Sequence, residues 1–227
     1  MAPLQRHQLV WLDAAAWRRV LAAPADTAWD LQALECLQHW AAQGLPLVVT
    51  RQPQGSSGRC ADDALVLGLA APACWGRRRL FVDARLADVR RQGHFPLARD
   101  ITPSLAPDRR DDWTALCAEL DAIGATARVY GSHGWQQLSG LACLHAGSDI
   151  DLLVAVGSAH QADAVVKRLN KYPFSTPRID GELAFAEGDA VAWREWAAWR
   201  AGSTAQMLVK RLHGATLESC LAWDATA

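Results

Sequence analysis

No run in the sequence approaches the roughly 18 uninterrupted apolar residues that a membrane-spanning helix requires. The opening Met1-Ala2-Pro3-Leu4-Gln5-Arg6-His7 has no apolar signal core, so a soluble, cytoplasmic protein with no membrane partner is expected. An excess of charge of one sign is also missing, since 23 Lys and Arg face 24 Asp and Glu for a formal net charge of -1. That balance excludes bulk binding to polyanions, and nucleic acid is not expected as a partner, although a local phosphate site stays open. The six cysteines, Cys36, Cys60, Cys74, Cys117, Cys143 and Cys220, form no CxxC pair and have no histidine at zinc-ligand spacing. They read as small, mostly buried apolar residues, reduced in the cytosol. There is no internal repeat.

What is present is ordinary globular composition: 227 residues, 51% apolar and 21% charged, enough for one large domain or two small ones. Eleven tryptophans are expected to act mainly as core or interface anchors. The expected fold class is α+β. A small N-terminal α/β domain over 1–91 is followed by a linker over 92–111, and a catalytic domain over 112–227 has a mixed sheet flanked by helices. In the first part, Trp17, Val20 and Leu21 fall at helical spacing, as do Leu31, Leu34, Leu37 and Trp40 after a capping candidate at Asp26-Thr27. Leu45–Thr50, Asp63–Leu69 and Arg79–Val82 read as strands. The stretch 92–111, with Pro96, Pro103 and Pro107 among charges, reads as a crossing between domains.

In the second part, Trp113, Leu116, Leu120 and Ile123 mark a helix that Gly124 stops. A strand over Ala127–Tyr130 runs into Gly131-Ser132, a short helix over Gly134–Leu144 follows, then a strand over Asp149–Val156 and a helix over Gln161–Leu169. Strands over Arg178–Phe185 and Ala190–Trp193 are joined by Glu187-Gly188-Asp189, which is suited to a hairpin. A last helix is expected from Ser203, carrying Met207, Leu208 and Leu212.

The chemistry concentrates in this part. Residues two apart on a strand share a face, with α-carbons roughly 6.6 Å apart, so Asp149 and Asp151 present two carboxylates to one spot. Such a pair suits hard divalent cations, which stabilise attacking and leaving oxygens when two ions stand about 3.5–4 Å apart. The alternative is a surface strand with two solvated aspartates. Gly131 and Ser132, following a strand, are positioned to bring backbone N–H groups to a phosphate. A third acid is expected from Asp180 or Glu182, again two apart, with Gly181 between them allowing close approach of a ligand or backbone. Asp180 is preferred for its shorter, more rigid stem, and the alternative for Glu182 is an ion pair with Arg178 or Arg194. Arg194, Lys210 and Arg211 could neutralise a triphosphate, although Lys210 and Arg211 also fit a solvated helix face. His133 could orient a phosphate or act as a base, or be a surface loop histidine. Arg77-Arg78-Arg79 could meet an acidic partner or be a solvated run.

The Gly131-Ser132, Asp149-x-Asp151 and later-acid pattern resembles the polymerase-beta-like nucleotidyltransferase superfamily. The runs from Gly131 to Leu141, Ser148 to Leu153, Arg178 to Leu183 and Val191 to Trp196 resemble more closely the malonate decarboxylase holo-acyl carrier protein synthase family, the phosphoribosyl-dephospho-CoA transferases. His7 to Leu12 and Leu45 to Val49 are similar too, so the resemblance covers nearly the whole chain. The resemblance implies magnesium- or manganese-dependent transfer from triphosphoribosyl-dephospho-CoA to a serine of the acyl carrier subunit of malonate decarboxylase, releasing pyrophosphate. It makes Asp149 and Asp151 the catalytic aspartates; read from the residues themselves, both are expected metal ligands with Asp180 preferred as third acid, and Gly131, Ser132, His133, Glu182, Arg194 and Lys210 are substrate-binding candidates. Positions 133 to 148, sixteen residues, separate Ser132 from Asp149, more than is usual in the wider superfamily, and this insertion is expected to shape the substrate pocket. The competing readings are a nucleotidyltransferase acting on a small molecule and an inactive nucleotide- or partner-binding module.

Overall fold

The computed structural model describes residues 3–22, 29–53, 63–172 and 177–220. The chain divides into two compact units. One comprises the chain up to Phe95 together with Trp135–Leu144 and Leu212–Gly214, and the other comprises Pro96–Gly134, His145–Arg211 and the residues from Ala215 onward.

The first unit contains β1 (Leu9–Leu12), α1 (Ala14–Leu21), α2 (Leu31–Gln43), β2 (Leu47–Val49), β3 (Ala64–Ala70), β4 (Arg79–Arg85) and β5 (Val89–Gly93). Its sheet has the order β4-β3-β2-β1-β5, with antiparallel neighbours. Both helices start on an aspartate whose carboxylate accepts a backbone N–H: Asp13 from Ala16 and Asp30 from Ala33. Asp30 therefore caps α2, while the expected pair Asp26-Thr27 lies outside the described residues. Leu9, Leu37, Trp40, Leu47 and Leu67 are fully buried, and the Trp40 indole N–H donates to the Pro46 carbonyl. Trp135, from the insertion, is buried in this unit against Trp40 and Phe95. β1 and β5 are not marked by hydrophobic alternation: β1 is four residues long, and β5 is the polar run Val-Arg-Arg-Gln-Gly.

The second unit begins with 3₁₀ turns over Ala98–Ser104 and Pro107–Arg109, within the stretch read as a crossing. Ala98, Ile101 and Leu105 are buried in this unit's core, and the Trp113 indole N–H donates to the Ala98 carbonyl. Then follow α3 (Arg110–Asp121), β6 (Thr126–Tyr130), α4 (Gly131–Ser139), which belongs to this unit up to Gly134 and to the first from Trp135, β7 (Ile150–Val156), α5 (Ala159–Leu169), β8 (Ile179–Phe185), β9 (Ala190–Ala192), α6 (Trp193–Arg200), β10 (Met207–Arg211) and β11 (Gly214–Glu218), whose first residue Gly214 is counted with the first unit. The sheet order is β11-β10-β9-β8-β7-β6. β7 and β8 are parallel, while β6–β7, β8–β9 and β9–β10 are antiparallel, so the sheet is mixed and the fold α+β as expected.

Three sequence-based elements differ. The helix expected over Gly134–Leu144 begins at once after β6, at Gly131, and ends at Ser139 before Gly140, whose φ is +70°. The helix expected from Ser203 is instead the strand pair β10 and β11: Met207 and Val209 are buried while Leu208 and Lys210 are less so, a period of two that outweighs the helical spacing of Met207, Leu208 and Leu212. Trp193, expected at the end of a strand, opens helix α6, where Trp193 and Trp196 three residues apart are both buried.

Candidate active site

The alternation along β7 decides where the acids go. Ile150, Leu152, Val154 and Val156 point into the core formed with α3 and α5, while Asp151 and Leu153 take the other, less buried face. Asp149 immediately precedes the strand. On β8, Ile179, Leu183 and Phe185 enter the same core, and Asp180 and Glu182 take the face shared with Asp151. The parallel register sets Asp151 directly opposite Asp180 and Leu153 opposite Glu182.

Two glycines make this arrangement sterically feasible. Gly131 has φ +61°, and a β-carbon on it would stand 2.0 Å from Asp151 Oδ2, so Asp151 occupies the space a side chain would need. Gly181 has φ +131°, and a β-carbon there would come within 1.9 Å of the Leu152 carbonyl oxygen, so the close approach at this glycine is by the neighbouring strand. The two substitutions are expected to differ in kind. Gly131→Ala meets the end of a movable carboxylate and costs about 1–2 kcal/mol for its left-handed backbone, so it is expected to lower turnover far more than stability. Gly181→Ala meets backbone and is expected to cost more than about 3 kcal/mol, because β7 and β8 must part. Thermal melts and turnover measured on both variants check this; equal loss of stability in the two contradicts it.

Crowding of negative charge marks the face. Desolvation, with the Asp180 and Asp149 carboxylates nearby, pushes Asp151 up to about 6, and the Arg178 guanidinium only partly offsets this. Arg178 Nη2 donates to Asp149 Oδ2 at 2.7 Å and to Asp180 Oδ2 at 3.0 Å. Asp180 Oδ1 accepts the Gly181 N–H at 2.9 Å, which fixes its carboxylate. Arg194 Nε lies 4.0 Å from Asp180 Oδ1, and its Nη2 donates to the Ile179 carbonyl. Arg178 entered the sequence reading only as a partner for Glu182; its position two residues before Asp180 was the signal that both share a face.

Glu182 is drawn elsewhere. It is buried and accepts from Lys210 Nζ at 2.7 Å, so its partner is Lys210 on β10, neither Arg178 nor Arg194. Arg211 pairs with Asp189 and Glu218, which ties the β10 end to the β8–β9 turn and to β11. Lys210→Met is expected to destabilise the fold by about 3 kcal/mol at neutral pH, because it removes the ammonium that donates to the buried Glu182 carboxylate. Adding Glu182→Gln should restore most of the loss in a denaturant titration, and a double variant no more stable than the single would contradict this pairing.

His133 lies in α4, 6% exposed, so it is not a surface loop histidine. Burial lowers its pKa, and Nδ1 has no hydrogen-bond partner among the described residues. Ser132, beside it in the first turn of α4, is half-buried.

Asp149, Asp151 and Asp180 bring carboxylate oxygens to one face with repulsion that Arg178 only partly offsets, and both properties fit a hard divalent cation. As the side chains stand, no three His, Cys, Asp or Glu among the described residues form a ready ligand cluster, and two of the acids are held on Arg178. Among the described residues no helix is long and apolar enough to cross a membrane.

Residues 96–220 match the family model of the phosphoribosyl-dephospho-CoA transferase MdcG C-terminal domain, and residues 5–95 match that of the MdcG N-terminal domain. A phosphoribosyl-dephospho-CoA transferase of Xanthomonas campestris pv. campestris (strain 8004) is 36% identical over 213 residues, 93% of this chain and 92% of the relative. One from Bradyrhizobium diazoefficiens is 33% identical over 224 residues, covering 95% and 90%. Another, from Pseudomonas putida (strain W619), is 33% identical over 226 residues, covering 96% and 94%. No solved structure matches the chain. With both domain models matched in order and the curated relatives aligned nearly end to end, the chain belongs to the phosphoribosyl-dephospho-CoA transferase family and is a transferase.

Proposed function

We propose that the protein transfers a phosphoribosyl-dephospho-CoA group from its triphosphate precursor to a serine of the malonate decarboxylase acyl carrier subunit, in the cytoplasm and with a divalent metal, magnesium or manganese. The serine Oγ attacks the α-phosphorus, the bond from that phosphorus to the bridging oxygen of pyrophosphate breaks, and the hydroxyl proton passes to a carboxylate of the acid face. The observation that carries this reading is the β7–β8 register, which sets Asp151 opposite Asp180, with Asp149 just before the start of β7 joined to Asp180 through Arg178.

A divalent cation bound to Asp149, Asp151 and Asp180 would polarise the α-phosphate and neutralise the departing pyrophosphate. Asp180, its carboxylate fixed by the Gly181 N–H, stands ready to accept the serine proton. Gly131 and Ser132, at the first turn of α4, offer backbone N–H groups to a phosphate. Arg194, beside Asp180, is a further phosphate-binding candidate, as is His133 in the first turns of α4, whereas Lys210 would act by fixing Glu182.

Purified protein incubated with triphosphoribosyl-dephospho-CoA, apo carrier subunit and Mg²⁺ should release one pyrophosphate per carrier modified. Pyrophosphate release with ATP and a small acceptor, and none with the carrier, would favour the small-molecule transferase. No release with any of these would favour a binding module.

A further inference from the structure

Arg178 is the cation that bridges two carboxylates of the acid face, while Arg194 stands farther off, 4.0 Å from Asp180 Oδ1. A single nitrogen of the Arg178 guanidinium donates to two carboxylates from adjacent strands, Asp149 just before β7 and Asp180 on β8. The side chain is 52% exposed, and Nε and Nη1 make no hydrogen bond among the described residues. Its backbone carbonyl accepts the Ile150 N–H and fixes the start of the β7–β8 pair. The guanidinium is thus held by its charge partners and not by packing. It donates to two of the three acids and offsets the repulsion at Asp151 only in part.

We propose that Arg178 is a displaceable stand-in for the divalent cation: it holds Asp149 and Asp180 together in the resting protein, yields them when the metal enters, and then turns to the phosphate oxygens of the triphosphate. This inference rests on the metal-dependent reading above. A guanidinium and a divalent cation cannot both neutralise the same two carboxylate oxygens, so the two compete. Once displaced, an exposed guanidinium with five donors matches the oxygens of a phosphate better than it matches water.

The sign of one measurement separates this role from a purely structural one. If Arg178 merely braces the acids, removing it loosens the site and weakens metal binding. If Arg178 competes, removing it strengthens metal binding. Mn²⁺ binding to the full-length chain, followed by the EPR signal of free Mn²⁺, is therefore compared in the wild type and in Arg178→Gln, Arg178→Lys and Asp149→Asn. Arg178→Gln should bind Mn²⁺ about tenfold more tightly, the scale of two partly exposed ion pairs removed. Arg178→Lys, which keeps the charge at one point, should gain about threefold. In the Mn²⁺-loaded proteins, inorganic tripolyphosphate should bind Arg178→Gln about tenfold more weakly than wild type. Unchanged or weaker Mn²⁺ binding in both arginine variants overturns the proposal. Asp149→Asn that keeps wild-type Mn²⁺ affinity shows instead that the acids are not the cation site, which overturns the metal-dependent reading and this inference with it.

Discussion

Asp151→Asn is expected to abolish transfer and to make the metal-free protein more stable. The rise of the Asp151 pKa from an ordinary value of about 3.9 to about 6 means that the folded protein resists ionising this group. Below about pH 4 the carboxyl is protonated in both folded and unfolded chains and costs nothing. Between about pH 4 and pH 6 the unfolded chain loses the proton while the folded protein keeps it, so stability falls as pH rises. Above about pH 6 the cost is constant at about 3 kcal/mol. Asparagine keeps the volume and removes the charge, so at pH 7 to 8 without metal the variant should melt at least about 5 °C higher than wild type. At pH 4 the difference should vanish. Adding Mg²⁺ should raise the melting temperature of the wild type and leave the variant nearly unmoved. A variant that is less stable at neutral pH, or equally responsive to Mg²⁺, contradicts the charge crowding on which this rests.

The second large effect concerns the two acids of β8. Asp180→Ala is expected to slow the chemical step by several orders of magnitude, since loss of a positioned base alone costs about 10²–10⁴-fold and loss of a metal ligand adds to it. Its partly exposed side chain, outside the buried core of the unit, makes a purely structural effect small. Glu182→Ala should cost less in chemistry and more in stability, because it strands Lys210 in a half-buried site. Single-turnover kinetics with metal titrated distinguishes the two. Slow chemistry in Glu182→Ala with normal chemistry in Asp180→Ala would reverse the roles, and normal chemistry in both would put the third ligand elsewhere.

The second unit was more legible in the sequence than the first because its signals are local. Asp149-x-Asp151, Asp180 and the glycines at 131 and 181 are short-range patterns that strand alternation converts directly into a shared face. The α3, β6, β7, α5 and β8 segments carry clean periods for the same reason. Non-local partners were not legible. Nothing near Glu182 in the sequence indicates that its counter-ion sits on a strand 28 residues later, and the run around Met207 satisfies both a helical and a strand pattern until its pairing with β9 selects the strand. β5 carries two arginines and a glutamine because both its faces are partly exposed, so its place at the sheet edge beside β1 is set by hydrogen bonding that periodicity does not report. Gly131 is expected from the sequence to make room for a phosphate, and the space its missing side chain leaves is occupied by the Asp151 carboxylate.

The central claim, that the three acids of β7 and β8 carry a metal-dependent transfer onto a carrier serine, is tested most directly by intact-mass spectrometry of the apo carrier subunit. The carrier is incubated with triphosphoribosyl-dephospho-CoA and either the wild type or Asp149→Asn, with and without Mg²⁺. The account predicts that the carrier gains one phosphoribosyl-dephospho-CoA group only with wild type and Mg²⁺, and that changing the acceptor serine to alanine abolishes the gain. Full modification by Asp149→Asn, or by wild type in the presence of excess chelator, would contradict it.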